Sequence, residues 1–129
     1  MTRDEAARQI SDYVTGWTRQ DKSLFLRHLS ANILIRECYG PEYVGRIECD
    51  RWFEEWHRLG GRVFEWKILR ITYDETEIVA SVDWDFRCWA DEKEHAFFGA
   101  SHVVFDDTCI RSIDEYRMDK DRTRPYQVR

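Results

Sequence analysis

The chain has 129 residues, a net charge of −5 and a charged fraction of 35%, which suits one domain and argues against a nucleic-acid surface, because phosphate binding needs clustered lysine and arginine. No apolar run approaches the ~20 residues of a membrane helix, and the charged start MTRDEAARQI lacks the apolar region of a signal peptide. The four cysteines, at positions 38, 49, 88 and 109, have neither CxxC nor zinc-finger spacing, so we expect reduced thiols in a cytoplasmic protein without metal or cofactor.

Two helices are predicted at the start of the chain. Residues 3–19 form the first, because its apolar residues recur at spacings of three and four and therefore share one face. Residues 21–30 form a short second helix with Asp21 as its N-cap. The buried face of the first helix is expected to consist of Ala6, Ile10, Tyr13, Val14 and Trp17.

A strand and a third helix are predicted next, with little chain between them. The strand covers residues 33–39, and Gly40-Pro41 breaks it. The helix covers residues 46–59 and ends at Gly60-Gly61, since glycine is common just past a helix C-terminus. Trp52 and Trp56 lie on its apolar stripe.

Alternating strands fill the second half of the chain. Their connections are short and polar, which indicates antiparallel hairpins. The last strand alternates so that Asp114 shares a face with Ile110, Ser112 and Tyr116, and if this face points inward, Asp114 is a buried acid beside Tyr116. The four strands are expected at residues 62–73, 76–90, 94–106 and 109–118.

The 94–106 strand has two apolar faces. One face is expected to meet the helices, and the other to meet a second subunit, which predicts a homodimer through the outer sheet face. The resulting fold class is α+β: a cone in which a strongly curved, mostly antiparallel sheet wraps over three N-terminal helices. We expect a single domain over residues 1–129 with a polar, basic tail from about residue 119.

The chain resembles the nuclear-transport-factor-2-like superfamily, and within it the SnoaL-like group. The resemblance covers about Ala6 to Tyr116 and implies a cystatin-like cone. Within the superfamily, members include isomerases, cyclases, dehydratases and proteins without known chemistry. The residues that carry the resemblance are Tyr13 with Asp21, the Tyr43-Val44-Gly45 step, Trp52 to Trp56, Phe97 to Ser101, and Ile110 to Tyr116.

The ketosteroid isomerases of this superfamily offer a closer comparison. Tyr13, eight residues before Asp21, matches their oxyanion-hole tyrosine, and Glu37, sixteen residues after Asp21, matches their general base. Ser101 falls where they have a protonated aspartate. The chain departs from the pattern there, because a serine hydroxyl is a weaker donor than a carboxylic acid.

Each candidate catalytic residue has a structural alternative. Glu37 is a desolvated general base, a solvated carboxylate, or a carboxylate paired with Arg36 or Arg46. Tyr13 either donates to a ligand oxygen or packs in the core, and Asp114 is either a buried acid or the partner of a nearby arginine.

Aromatic residues are candidates for lining a hollow inside the cone. Individually each fits an ordinary core, but so many indoles in a small cone are expected to leave space. The candidate ligand-binding residues are Trp17, Trp52, Trp56, Trp66, Trp84, Phe86 and Tyr116.

Two functions remain open from the sequence. The protein binds a small apolar or aromatic molecule in the cone, or it is a cofactor-independent isomerase, cyclase or lyase. In the second case Glu37 or Asp114 moves a proton next to a carbonyl while Tyr13 and Ser101 hold the oxyanion. Neither hypothesis involves nucleic acid or membrane.

Overall fold

The computed structural model describes residues 1–128. The helices are α1 (Arg3–Thr18), α2 (Lys22–Leu26) and α3 (Gly45–Arg58). None of these helices is long and apolar enough to cross a membrane. The strands are β1 (Leu29–Arg36), β2 (Glu42–Val44), β3 (Arg62–Asp74), β4 (Val79–Ala90), β5 (Lys93–Phe105) and β6 (Ile110–Met118).

Side-chain caps explain where the first two helices begin. The Thr2 Oγ1 accepts a hydrogen bond from the Glu5 amide at 3.2 Å, and the Glu5 carboxylate accepts one from the Thr2 amide at 3.0 Å. The Asp21 carboxylate accepts from the Leu24 amide at 3.1 Å, as the N-cap prediction requires. The second helix is shorter than predicted, because the chain already enters β1 at Leu29.

A close approach of α1 and α2 places aromatic rings on the inner side of the helices. A Cβ atom at Gly16 would lie 2.5 Å from the Phe25 amide nitrogen, so this position has no room for a side chain. The approach brings the rings of Trp17 and Phe25 to a centroid distance of 5.0 Å. Trp17 thereby packs at the junction of α1, α2 and α3, where it also contacts Phe53.

The sheet has the strand order β2-β1-β6-β5-β4-β3. The β1–β6 pair is parallel and the other pairs are antiparallel, which confirms the predicted mostly antiparallel α+β architecture. Two register shifts in β3 accompany the curvature of the sheet, as β-bulges do. The short strand β2 was not predicted, because three residues carry too little alternation to be recognised.

A β-bulge in β6 reverses the faces expected for this strand. Phe105 pairs with Ile110, but Val104 pairs with Ser112, so Arg111 is an extra residue. One extra residue moves every later side chain to the opposite face. The inward orientation expected for Asp114 and Tyr116 is therefore wrong: Asp114 lies outside, and Tyr116 is 62% exposed.

The outer face of β5 stays partly open in the single chain. Phe98, Ala100 and Val104 on this face are half-buried, whereas Phe97, Ser101 and Val103 on the inner face are buried. The inner face packs on the helices, as the alternation predicted. The homodimer expected through the outer face stays a prediction.

Candidate functional site

A cavity of about 360 Å³ opens at one end of the core, between α1, α3 and the inner face of the sheet. Its size is within the range of small-molecule sites in proteins, and half of its lining residues are aromatic. The residues that line it are Trp17, Glu37, Cys38, Tyr39, Pro41, Tyr43, Trp52, Trp56, Val63, Trp66, Trp84, Phe86, Cys88, Ala90, Asp91, His95, Phe97 and Glu115.

Mutual ring contacts hold the cavity wall in place. Trp52 stacks on Tyr43 with a centroid distance of 4.0 Å and an interplanar angle of 9°, and it contacts Trp17 at 4.7 Å. On the sheet side, Trp66 meets Phe86 edge to face at 5.1 Å. Such stacked and edge-to-face pairs add stability beyond burial alone, so the wall is a pre-formed surface.

Glu37 lies on the cavity wall just after β1. A tight turn fixes it: the Glu37 amide donates to the Pro41 carbonyl at 2.9 Å, and the Gly40 amide donates to the Glu37 carbonyl at 3.1 Å. The Tyr43 hydroxyl donates to Glu37 Oε1 at 2.8 Å. Burial raises the pKa of Glu37, and the hydrogen bond from Tyr43 partly offsets that rise.

The two arginines considered as partners for Glu37 bind elsewhere. Arg36 forms a two-point ion pair with Asp114, with distances of 2.6 and 2.7 Å. Arg46 donates to the carbonyls of Leu26 and Leu29, both at 2.8 Å. Among residues 1–128, Glu37 therefore has no ion-pair partner.

Glu115 is a cavity residue that the sequence analysis missed. The bulge at Arg111 turns it inward, onto the same cavity as Glu37. Burial, and then the charge of Glu37, raise the pKa of Glu115 to about 8. The sequence carries no signal for this bulge, because a single inserted residue becomes visible only when the strand partners are known.

Tyr13 and Ser101 lie apart from the large cavity. Both line a second cavity of about 20 Å³ deeper in the core, and Trp66 and Trp84 line both spaces. The Ser101 Oγ already accepts a hydrogen bond from Trp84 Nε1 at 2.9 Å. The structure therefore brings Glu37 together with the aromatic candidates, but it separates Glu37 from the two expected oxyanion donors.

Three buried donor groups have no hydrogen-bond partner among residues 1–128. They are the Tyr13 hydroxyl and the indole N–H groups of Trp17 and Trp66. Burial, and then the nearby Glu115 carboxyl, raise the pKa of Tyr13 well above its ordinary value, so its hydroxyl stays protonated and can donate. Buried donors are paired in most proteins, so these three groups lower the stability of the chain as it stands.

The other predicted ligand-binding residues divide clearly. Trp17, Trp52, Trp56, Trp66, Trp84 and Phe86 all line the large cavity, whereas the exposed Tyr116 does not. Cys38 and Cys88 also line it as free thiols, and burial raises the pKa of each to about 11. Within the described part of the chain, no three His, Cys, Asp or Glu residues form a group that could hold a metal ion.

Comparisons with known proteins show the fold. No protein-family model and no curated protein matches the chain. Among solved structures, an LEH-like epoxide hydrolase from M. tuberculosis matches with a TM-score of 0.74 and 18% identity, over 89% of this chain and 79% of that one. A hypothetical protein with a ketosteroid isomerase-like fold from Catenulispora acidiphila, in complex with trimethylamine, matches with a TM-score of 0.73 and 12% identity, over 87% and 85%.

A third structural neighbour is a candidate polyketide cyclase from Xanthomonas campestris pv. campestris. It matches with a TM-score of 0.72 and 14% identity, over 88% of this chain and 90% of that one. Together the neighbours confirm the fold implied by the resemblance to the nuclear-transport-factor-2-like superfamily. At such low identities a shared fold does not carry a shared reaction.

Proposed function

We propose that the protein binds a small, largely apolar or aromatic molecule in the large cavity. The observation that carries this proposal is the cavity itself: about 360 Å³ of space in which half of the lining residues are tryptophan, tyrosine or phenylalanine, with three carboxyl groups among the rest. A flat molecule buried there gains hydrophobic and ring-stacking free energy. The neighbour from Catenulispora acidiphila, in complex with trimethylamine, supports a small-molecule role for this fold.

Replacing Trp52 by leucine is expected to weaken binding of the neutral probe N-phenyl-1-naphthylamine by about tenfold or more, since a stacking face and apolar contact area are lost. Trp52 is chosen because it is partly exposed at the cavity wall, so the fold tolerates its loss better than that of Trp84. The measurement is a fluorescence titration of the purified variants.

Trp89 offers a matched control, because it is 42% exposed and does not line the cavity. Trp89→Leu should leave the affinity within twofold of the original protein. Equal losses in both variants, or no saturable binding of the probe by the original protein, would contradict the proposal.

A second candidate function is proton transfer next to a carbonyl, and the cavity carboxyls of Glu37 and Glu115 favour it. Their surroundings give the two carboxyls different protonation states. A hydrogen bond from Tyr43 favours the ionised form of Glu37. Burial, and then the charge of Glu37, raise the pKa of Glu115 to about 8, so its carboxyl is neutral at lower pH. Pairs of carboxyls separated in this way supply an acid and a base at one pH. Glu37 would remove an α-proton, and the neutral Glu115 carboxyl would donate a hydrogen bond to the enolate oxygen.

Exchange of the α-protons of 1-indanone in D₂O, followed by NMR, tests this second candidate. The protein should accelerate the exchange, and Glu37→Gln should lower the accelerated rate by about 100-fold, because general-base catalysis contributes a factor of this order. Binding of N-phenyl-1-naphthylamine should stay nearly normal in this variant. Acceleration that survives in both Glu37→Gln and Glu115→Gln would exclude these carboxyls as the base.

A further inference from the structure

The large cavity is lined by acids without a strong base. Its lining residues include Glu37, Asp91 and Glu115, but neither lysine nor arginine, and His95 is the basic side chain among them. The His95 Nε2 lies 3.1 Å from the Ala90 carbonyl oxygen and is thus occupied locally. When these acids ionise, they place negative charge beside apolar walls, which costs free energy unless a cation is present.

The aromatic rings of the cavity are suited to a cation. A ring attracts positive charge to its face, most strongly for tryptophan, and cages of aromatic rings are a common way to hold ammonium groups. The chain already uses this attraction at the cavity mouth, where the Arg117 guanidinium lies 5.6 Å from the ring centre of Tyr39 and 5.5 Å from that of Phe97. Among residues 1–128, no cation covers the deeper indoles of Trp17, Trp52, Trp56 and Trp66.

Two indoles of the cavity wall, those of Trp17 and Trp66, present ring surface to the cavity. Trp17 is 4% exposed and lines the cavity, yet its indole N–H has no partner among the described residues. The indole N–H of Trp66, on the opposite wall, is also unpartnered. Both nitrogens are inaccessible to solvent, so these two residues meet the cavity through their ring carbons rather than through their N–H groups.

We infer that the ligand of the large cavity carries a protonated amine or quaternary ammonium group next to its apolar part, with the cationic group between the indole faces and the carboxylates of Glu37 and Glu115. This inference rests on the proposed function, because it specifies the class of molecule bound in the same cavity. A cation there offsets the repulsion between the two carboxylates and their loss of hydration. Binding of an anion would add to both costs.

A pair of probes with the same shape and different charge tests the inference. Phenyltrimethylammonium and tert-butylbenzene differ in one central atom, nitrogen or carbon, and both displace N-phenyl-1-naphthylamine if they enter the cavity. At pH 8.5, we expect phenyltrimethylammonium to bind at least tenfold more tightly than tert-butylbenzene. In Glu37→Gln and in Glu115→Gln, this preference should fall several-fold, while the affinity for tert-butylbenzene should stay within twofold.

Asp114→Asn is the matched control, since Asp114 neighbours Glu115 in the chain but lies on the outer face with Arg36. It should keep the full preference for the cation. If tert-butylbenzene binds as well as phenyltrimethylammonium, the inference is overturned while the proposed apolar site stands. If the probe does not bind, the proposed function and the inference both fail; if the probe binds but neither compound displaces it, the inference alone fails.

Discussion

Replacing Glu115 by glutamine is expected to remove most of the fall in stability that the protein shows as the pH rises from about 4.5 to about 8. The pKa of Glu115 is raised from 4.5 to about 8 in the folded protein. Between these two values the folded protein keeps a proton that the unfolded chain has released. The free energy of unfolding therefore decreases with rising pH across this window and levels off above it.

The size of the effect follows from the shift. A shift of one pKa unit corresponds to about 1.4 kcal/mol. After allowance for partial solvent access to Glu115, we expect the free energy of unfolding to fall by on the order of 3 kcal/mol between pH 4.5 and 8. Urea unfolding of the original protein and of Glu115→Gln between pH 4.5 and 9 measures it. The pKa of Glu37 is also raised by burial, so the free energy of unfolding of Glu115→Gln should still fall with pH, but less steeply.

His57 and Asp114 also have shifted pKa values, but neither accounts for a difference between the original protein and Glu115→Gln. His57 has a lowered pKa because it is buried, which makes stability rise with pH through its own range, and this contribution is common to both proteins. Asp114 has a lowered pKa because Arg36 binds it, so its contribution is lost at pH values below the window. Asp114→Asn should therefore keep the slope between pH 4.5 and 8. Identical profiles for the original protein and Glu115→Gln would show that Glu115 is not buried in the cavity.

Replacing Gly99 by alanine is expected to destabilise the protein by about 3 kcal/mol, the upper part of the range for overpacking a core. A Cβ atom at Gly99 would overlap the Tyr116 carbonyl oxygen and lie 2.6 Å from Trp84 Cζ3. The carbonyl belongs to the backbone of β6, so rotation of a side chain cannot relieve the overlap. Either β5 and β6 separate or the chain shifts, and Trp84 is displaced from both cavities.

Thermal unfolding measures this second effect, which should lower the melting temperature by on the order of 10 °C. The affinity for N-phenyl-1-naphthylamine should also fall, because Trp84 lines the large cavity. Ala96→Val enlarges an exposed side chain on the same strand and should change stability by less than about 0.5 kcal/mol. Equal stability of Gly99→Ala and the original protein would contradict the packing described for Trp84.

Periodicity in the sequence was sufficient for the main elements and for most of the cavity wall. Trp17 and Trp52 were placed correctly because helical spacing sets which side of α1 and α3 meets the core. Glu37 was placed near the site by the Gly40-Pro41 turn, whose backbone hydrogen bonds fix its position.

The rest of the site depends on features that alternation does not show. Because of the bulge at Arg111, Glu115 rather than Asp114 faces the cavity. A single inserted residue of this kind is visible only when both strand partners are known. Tyr13 and Glu37 line different cavities, and Trp66 and Trp84 line both. Ring packing of this kind is set by tertiary contacts between distant parts of the chain.

The most direct test of the proposed binding site is a crystal structure of the protein with bound N-phenyl-1-naphthylamine. We expect the naphthalene ring between the helix-side indoles of Trp17 and Trp52 and the sheet-side ring of Trp66, with Glu37 and Glu115 facing the same space. A cavity closed by collapsed aromatic side chains, with the probe absent or bound on the outer sheet face, would contradict the account.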